Sequence, residues 1–207
     1  MDRAEAPAAQ PPVRPPSTPG TAPDGRPMRA DARRNYERLV DAARSALREQ
    51  GSEASLEEIA RRAGVGIGTL YRHFPTRLDL LEAVYRADVD GLEESTRTLL
   101  AEEESAWAAL ERGVRLFIDY AATKRALFQE LVDAVGRDSQ LITHSRQVIS
   151  SSIETLLTRA QDEGTARRDV QSADLIRLVG GCTMMGVLEG DQRERMLRIV
   201  LDGIRVA

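Results

Sequence analysis

The sequence has one cysteine, two histidines and few aromatic residues, and it lacks a long apolar run. With Cys182 alone, no disulfide can form within the chain, which fits a reducing compartment. The longest nearly uncharged apolar stretch, 178–188, is far shorter than the roughly 20 residues that a membrane-spanning helix needs. The first residues lack the charged-then-apolar pattern of a signal peptide. We therefore expect a soluble, cytoplasmic protein with no membrane partner.

Proline is nearly absent beyond the first 28 residues. Eight of the nine prolines lie between Pro7 and Pro27, mixed with Ala, Ser, Thr and Gly, and only Pro75 follows. Such a segment cannot bury enough apolar surface to fold, and it cannot sustain a helix. We predict that residues 1–28 form a disordered, solvated tail. The less favoured alternative is that the arginines near its end touch DNA.

The remaining chain has no alternating run of β-branched residues, and its apolar residues recur at helical spacing. Serine and threonine three residues before an acid predict capping boxes at Ser55–Glu58 and Thr76–Asp79. Together, these patterns predict an all-α protein of about nine helices, with one domain at 29–76 and a second helical domain at 77–207. The predicted helices begin near Ala32, Leu56, Ile67, Arg77, Ser105, Leu127, Leu141, Ser172 and Asp191.

Residues 55–74, SLEEIARRAGVGIGTLYRHF, have the pattern of two short helices joined by a glycine turn. Gly64 lies where the chain must bend sharply. The residues that are apolar where two crossing helices would touch are Ile59, Ala60, Val65 and Leu70. Polar and basic residues take the outward positions. This pattern predicts a helix-turn-helix, whose second helix enters the major groove of DNA.

Charge is divided unevenly along the chain. Residues 26–78 contain eleven arginines and seven acids, a net charge of +4, whereas residues from 79 onward carry −7. The net charge of −4 for the whole chain argues against a protein that coats nucleic acid. A basic front and an acidic back instead suggest that one end meets phosphate and the other does not.

The motif resembles that of the tetracycline-repressor (TetR) family of bacterial regulators. The resemblance covers about 31–85 and rests on LEEIA, AGV and GTLYRHF, followed by Arg77, Leu80 and Leu81. Gly66 departs from the family's usual Ser or Thr cap, and Arg77 replaces its usual Lys. The resemblance implies a homodimeric repressor that binds a pseudo-palindromic operator on double-stranded DNA and is released by a small-molecule effector. The effector itself is not identified.

Nine residues are candidate DNA contacts by this resemblance and by their chemistry. The start of the third helix would face base edges, and hydroxyl, imidazole and guanidinium groups around it would contact phosphate. Alternatively, Gly68 only clears space for helix packing, Thr69 bonds its own backbone, Tyr71 belongs to the core and His73 is simply exposed. The candidates are Ser55, Ile67, Gly68, Thr69, Tyr71, Arg72, His73, Thr76 and Arg77.

The resemblance also implies a ligand pocket in the second helical domain, 77–207, which we call the back domain. Aromatic, histidine and methionine side chains could line it. At helical spacing, however, such residues more often form ordinary core. The candidate pocket residues are Trp107, Phe117, Tyr120, Phe128, His144, Met184 and Met185.

Family members dimerise through their last two helices, here about 172–188 and 191–205. Gly180 and Gly181 lie inside an apparent helix, where each costs about 1 kcal/mol relative to alanine. Close approach of helices, such as across a two-fold axis, would offset that cost, and a kink is the alternative. The candidate interface residues are Leu178, Gly180, Gly181, Cys182, Met185, Leu197, Val200, Leu201 and Ile204.

Catalytic and metal-binding patterns are missing from the sequence. Neither His73 nor His144 has an acid three or four positions before it, and no GxSxG or phosphate-loop pattern occurs. Cys182 has no histidine nearby in sequence, which favours an inert buried thiol. We therefore expect no enzymatic activity, no metal and no cofactor. The alternative to a regulator is a helical scaffold protein with a vestigial DNA-binding module.

Overall fold

The computed structural model describes residues 30–103, 105–184 and 190–206. Over these ranges the regular structure is eight α-helices and a 3-10 turn at Gly51–Glu53, without a strand, which confirms the predicted all-α fold. The predicted tail lies outside the described residues. The helices are α1 (Ala30–Gln50), α2 (Leu56–Arg62), α3 (Ile67–His73), α4 (Arg77–Glu102), α5 (Ala106–Val135), α6 (Gln140–Asp162), α7 (Ser172–Met184) and α8 (Gly190–Ile204).

One continuous helix, α5, replaces two predicted helices. The sequence predicted separate helices beginning near Ser105 and Leu127, but Ala106–Val135 is helical over all 30 of its residues. The intervening residues 122–126, ATKRA, contain neither glycine nor proline, and Ala, Lys and Arg are strong helix formers. The predicted break was wrong because a loss of apolar periodicity does not by itself end a helix.

Side-chain caps begin α2, the first helix of the helix-turn-helix, and α4, which follows it. Thr76 and Asp79 form the predicted capping box of α4, with the Asp79 carboxylate accepting from the Thr76 N–H at 3.0 Å. At α2 only half of the predicted box forms. The Ser55 hydroxyl accepts from the Glu58 N–H at 3.2 Å, but the Glu58 carboxylate binds arginines instead.

Two apolar clusters form the core. The first joins α1–α3, through residues such as Leu39 and Leu70, to the first half of α4 and the facing ends of α5 and α6. The second joins the second half of α4 and the rest of α5 and α6 to α7 and α8. The 26-residue helix α4 therefore contributes to both clusters and connects the helix-turn-helix to the back of the molecule.

Gly113 allows α5 to pack closely against α6. A Cβ at this position would lie 2.3 Å from Cδ1 of the buried Leu156. Gly113→Ala should therefore lower the free energy of unfolding by about 1–3 kcal/mol, because Leu156 must shift inside a packed core. Denaturant unfolding measures this change.

Gly91→Ala on α4 is the matched control, since a Cβ there would meet nothing within 4 Å. The gain in helix propensity, about 1 kcal/mol, should then appear unopposed. Equal stabilisation by both substitutions would show that Gly113 is not required for packing.

None of the described helices is both long and apolar enough to cross a membrane.

Candidate nucleic-acid interface

Helices α2 and α3 form the predicted helix-turn-helix. Gly64 lies in the connecting turn with a φ of 65°, which favours glycine, and the Val65 N–H donates to the Ala60 carbonyl at 3.0 Å. Ile59, Ala60 and Leu70 are buried where the helices meet, as their spacing predicted. The turn and the apolar contact together fix the direction in which α3 leaves the core.

One side of α3 is buried and the opposite side faces solvent. Leu70 is fully buried on the inner side. Outward, Ile67 is 38% exposed and Tyr71 46% exposed, with Gly68 and Arg72 beside them. We call Ile67, Gly68, Tyr71 and Arg72 the recognition face. Tyr71 is thus on the surface and not in the core, so its hydroxyl is accessible to a partner.

Gly68 is not needed by the fold. Its φ is outside the left-handed region, and a Cβ built on it would meet nothing within 4 Å. The alternative that Gly68 clears space for helix packing is therefore wrong. One residue later, the half-buried Thr69 accepts a hydrogen bond from Nη2 of Arg72 at 3.2 Å.

His73 packs between aromatic rings at the end of α3. Its ring meets that of Tyr36 edge-on, with centroids 6.2 Å apart, and lies the same distance from Phe74. Burial lowers the pKa of the His73 imidazole, and the nearby Arg72 charge lowers it further. Both effects favour the uncharged ring, which has a single N–H donor.

Arg77 forms hydrogen bonds and an ion pair with other residues of the chain. Its guanidinium donates to the carbonyls of Ala54 and Ser52, at 2.5 and 2.9 Å, and to the Glu130 carboxylate at 3.2 Å. These partners belong to the loop before α2 and to α5. Arg77 therefore joins the helix-turn-helix to the helices behind it. Its predicted phosphate contact stays a prediction, and it would have to exchange these contacts for DNA.

The start of α4, where Thr76 was predicted to contact phosphate, carries a carboxylate that caps the helix, and the predicted contact stays a prediction. The Asp79 carboxylate accepts from both the backbone N–H and the hydroxyl of Thr76, at 3.0 and 2.8 Å. It therefore places a negative charge where phosphate was expected. Ser55 at the start of α2 has no such carboxylate on its hydroxyl, which is exposed and accepts from the Glu58 N–H.

Most arginines near the helix-turn-helix are paired with acids. In the described part of the chain, Arg38, Arg48 and Arg72 are the exceptions between 30 and 78. At Glu58, hydrogen bonds from Arg61 and then Arg62 lower the pKa of the carboxyl to about 2. The positive charge of the sequence is thus largely compensated locally. The paired arginines are Arg33, Arg34, Arg44, Arg61, Arg62 and Arg77.

The residues predicted to line a ligand pocket do not share one described cavity. Trp107 and Phe117 are buried in the second cluster, and Phe128 packs against the first. Tyr120 packs against both clusters, and burial raises the pKa of its hydroxyl. This packing favours the alternative that these aromatic residues are ordinary core, and their place in a ligand pocket stays a prediction.

His144 is the exception among these predicted pocket residues. It is exposed and lines a cavity of about 70 Å³ between α4 and α6. The Met184 side chain and Met185 lie outside the described residues.

The predicted dimer residues divide into three groups. Leu197, Leu201 and Ile204 are buried in the chain's own second cluster, so their assignment to an interface is corrected. Val200 is half-buried against the same cluster. Leu178 is 51% exposed.

Near Leu178, a Cβ at Gly180 or Gly181 would meet nothing within 4 Å among the residues that the structure describes. The Cys182 side chain and Met185 are not among the described parts. Sequence reasoning missed Ile199, which is 71% exposed on the opposite side of α8 from Leu197.

A buried ionic cluster joins three helices and was also missed. Asp88 of α4 accepts from Nε of Arg44 in α1 at 2.7 Å, and its second oxygen lies 2.6 Å from Nζ of Lys124 in α5. The Asp88 side chain is only 7% exposed. These residues are 36 or more positions apart in sequence, so no local spacing signals their contact. No metal-binding group of three or more His, Cys, Asp or Glu occurs in the described ranges.

The chain matches two family models, "Bacterial regulatory proteins, tetR family" over residues 39–84 and "Transcriptional regulator SbtR-like, C-terminal domain" over 105–206. It is 40% identical to the solved TetR transcriptional regulator SCO0520 from Streptomyces coelicolor, with a TM-score of 0.71 over 82% of this chain and 98% of that one. The chain belongs to the TetR family. It is therefore a DNA-binding transcriptional regulator, and its helix-turn-helix is the family's DNA-binding module.

Other TetR-family relatives agree over most of their lengths. A TetR transcription regulatory protein from Mycobacterium vanbaalenii is 34% identical, with a TM-score of 0.64 over 87% of this chain and all of that one. The HTH-type transcriptional regulator SrpR of Pseudomonas putida is 29% identical over 182 residues, which are 83% of this chain and 84% of that protein. The resemblance to the family thus extends from 31–85 to the back domain. From the sequence alone, the back domain matched the family only in its size and its helical character.

Proposed function

We propose that this TetR-family regulator is a homodimeric repressor that a small molecule releases from its operator. The recognition face of α3 carries the proposal. It presents aliphatic, aromatic and guanidinium groups to solvent, while Leu70 on the other side anchors the helix in the core. A helix that is anchored on one side and exposes both polar and apolar groups on the other is suited to contact base edges in the major groove.

A dimer would place two recognition faces in successive major grooves, about 34–36 Å apart, on a pseudo-palindromic site. The outward sides of α7 and α8 support this arrangement. Leu178 and Ile199 are exposed there, and a Cβ at Gly180 or Gly181 would meet none of the described atoms within 4 Å. Close approach of a second copy would account for two adjacent glycines on this exposed side of α7.

An effector would act through α4, because this helix contributes to both apolar clusters. The cavity at Tyr85, Leu141 and His144 lies between α4 and α6, but its 70 Å³ is well below the roughly 300–1,000 Å³ of ligand pockets. Binding there would require α4 and α6 to separate. The ligand would then favour a conformation with a different α4 position, and its differential affinity would set the size of the release.

Selection of binding sites from random duplex DNA tests the proposal. The expected product is an inverted repeat bound with strong salt dependence, because each half-site includes phosphate contacts. A compound screen for release of that site then identifies the effector class. A single asymmetric half-site would contradict the dimer. Failure to select any sequence would instead favour the scaffold alternative.

A further inference from the structure

Arg72 is the only arginine on α3, and it is exposed on the recognition face. Its Nε donates to the Gly68 carbonyl at 3.1 Å and its Nη2 to the Thr69 hydroxyl at 3.2 Å. Both acceptors are neutral, and no carboxylate within the described ranges holds the guanidinium. DNA acceptors can therefore replace these contacts without breaking an ion pair.

Gly68 lies one helical turn before Arg72 on the same face. Neither its backbone conformation nor its packing requires glycine, although glycine in a helix costs stability relative to alanine. A missing side chain that the protomer does not use leaves a gap on the recognition face. A base pair can approach the α3 backbone through this gap, next to the guanidinium that now rests against the Gly68 carbonyl.

We propose that Arg72 reads a guanine in each half-site, and that Gly68 determines specificity by admitting that base pair to the helix. A guanidinium matches the O6 and N7 acceptors of guanine in the major groove by two parallel hydrogen bonds. Thr69 acts as a positioning residue, because its hydroxyl orients the Arg72 fork before DNA binds. The inference rests on the proposed DNA-binding function and adds the base that is recognised.

The test compares Arg72→Ala, Gly68→Ala and the control Arg48→Ala on the selected operator and on symmetric single-base variants of it. Arg48 is exposed at the end of α1 and, like Arg72, contacts no carboxylate in the described part of the chain. The wild type should discriminate about 10-fold or more at one symmetric guanine position, and Arg72→Ala should abolish that discrimination. Arg48→Ala must leave the discrimination unchanged at every position.

Gly68→Ala separates recognition from folding. It should leave the melting temperature unchanged or raise it, while weakening operator binding by about 10-fold or more because the added methyl group fills the gap. Uniform loss of affinity across all sequences on Arg72→Ala would make Arg72 a phosphate contact and overturn the inference. Operator affinity equal to that of the wild type in Gly68→Ala would also overturn the inference. A wild-type chain that selects no sequence would overturn the proposed function itself.

Discussion

Asp88→Ala is expected to lower the free energy of unfolding by about 3 kcal/mol. The substitution leaves Arg44 and Lys124 close together without the carboxylate that they share. Removing one member of a buried ion pair typically costs about 3–5 kcal/mol. We take the lower end because the Arg44 side chain is partly exposed and keeps a second partner, Asp41. Urea unfolding followed by circular dichroism measures the change.

Asp41→Ala is the matched control, since it removes an exposed acid from the same arginine. Surface ion pairs contribute at most about 1 kcal/mol, so the expected cost is small. Adding Lys124→Met to Asp88→Ala should restore part of the lost stability, because it removes an uncompensated buried charge. If Asp88→Ala cost no more than Asp41→Ala, the cluster would not stabilise the junction of α1, α4 and α5.

The double variant Leu178→Arg/Ile199→Arg is expected to be a monomer and to bind the operator at least 100-fold more weakly, as an order-of-magnitude estimate from two apolar interface contacts. Charges at these exposed positions would be buried without partners if α7 and α8 form the dimer interface. Sedimentation equilibrium should report a mass near 22.8 kDa for the variant and twice that mass for the wild type.

The control for the dimer prediction is Leu116→Arg, which changes an exposed leucine of α5 in the same way. It should remain dimeric and bind the operator as the wild type does. A double variant that stays dimeric would place the interface elsewhere, and a monomeric wild type at micromolar concentration would contradict the dimer altogether.

The helix-turn-helix was predictable because its determinants are local. The turn at Gly64, the cap at Ser55 and the apolar contacts of Ile59 and Leu70 all lie within 16 residues. Helical periodicity also turns Tyr71 about 100° away from Leu70, and thus out of the core once Leu70 is assigned to it. Short-range spacing therefore determined both the motif and its exposed face.

The roles of Arg77 and Asp88 were not predictable, because their partners lie far away in sequence. Arg77 contacts Ser52 and Glu130, and Asp88 contacts Arg44 and Lys124, across gaps that only the packed helices close. A basic residue at a helix start favours phosphate on chemistry alone. The tertiary structure instead supplies closer acceptors within the chain.

Helix α8 shows a second limit of periodicity. Its apolar stripe correctly predicted one continuous face, including Leu197 and Leu201. The pattern cannot tell whether that face packs against the chain's own helices or against a second copy. In the structure the stripe is buried within the protomer, and the exposed apolar residue, Ile199, lies outside it.

Operator affinity of Tyr71→Ala, at fixed salt, tests the central role of the recognition face most directly. Leu116→Ala, an exposed truncation on α5, serves as the control. We predict that Tyr71→Ala weakens binding of the selected site by about 10-fold or more, since a dimer loses two phosphate contacts together with their packing. Its unfolding free energy should stay within about 0.5 kcal/mol of the wild type. Unchanged operator affinity in Tyr71→Ala would contradict DNA recognition through this face.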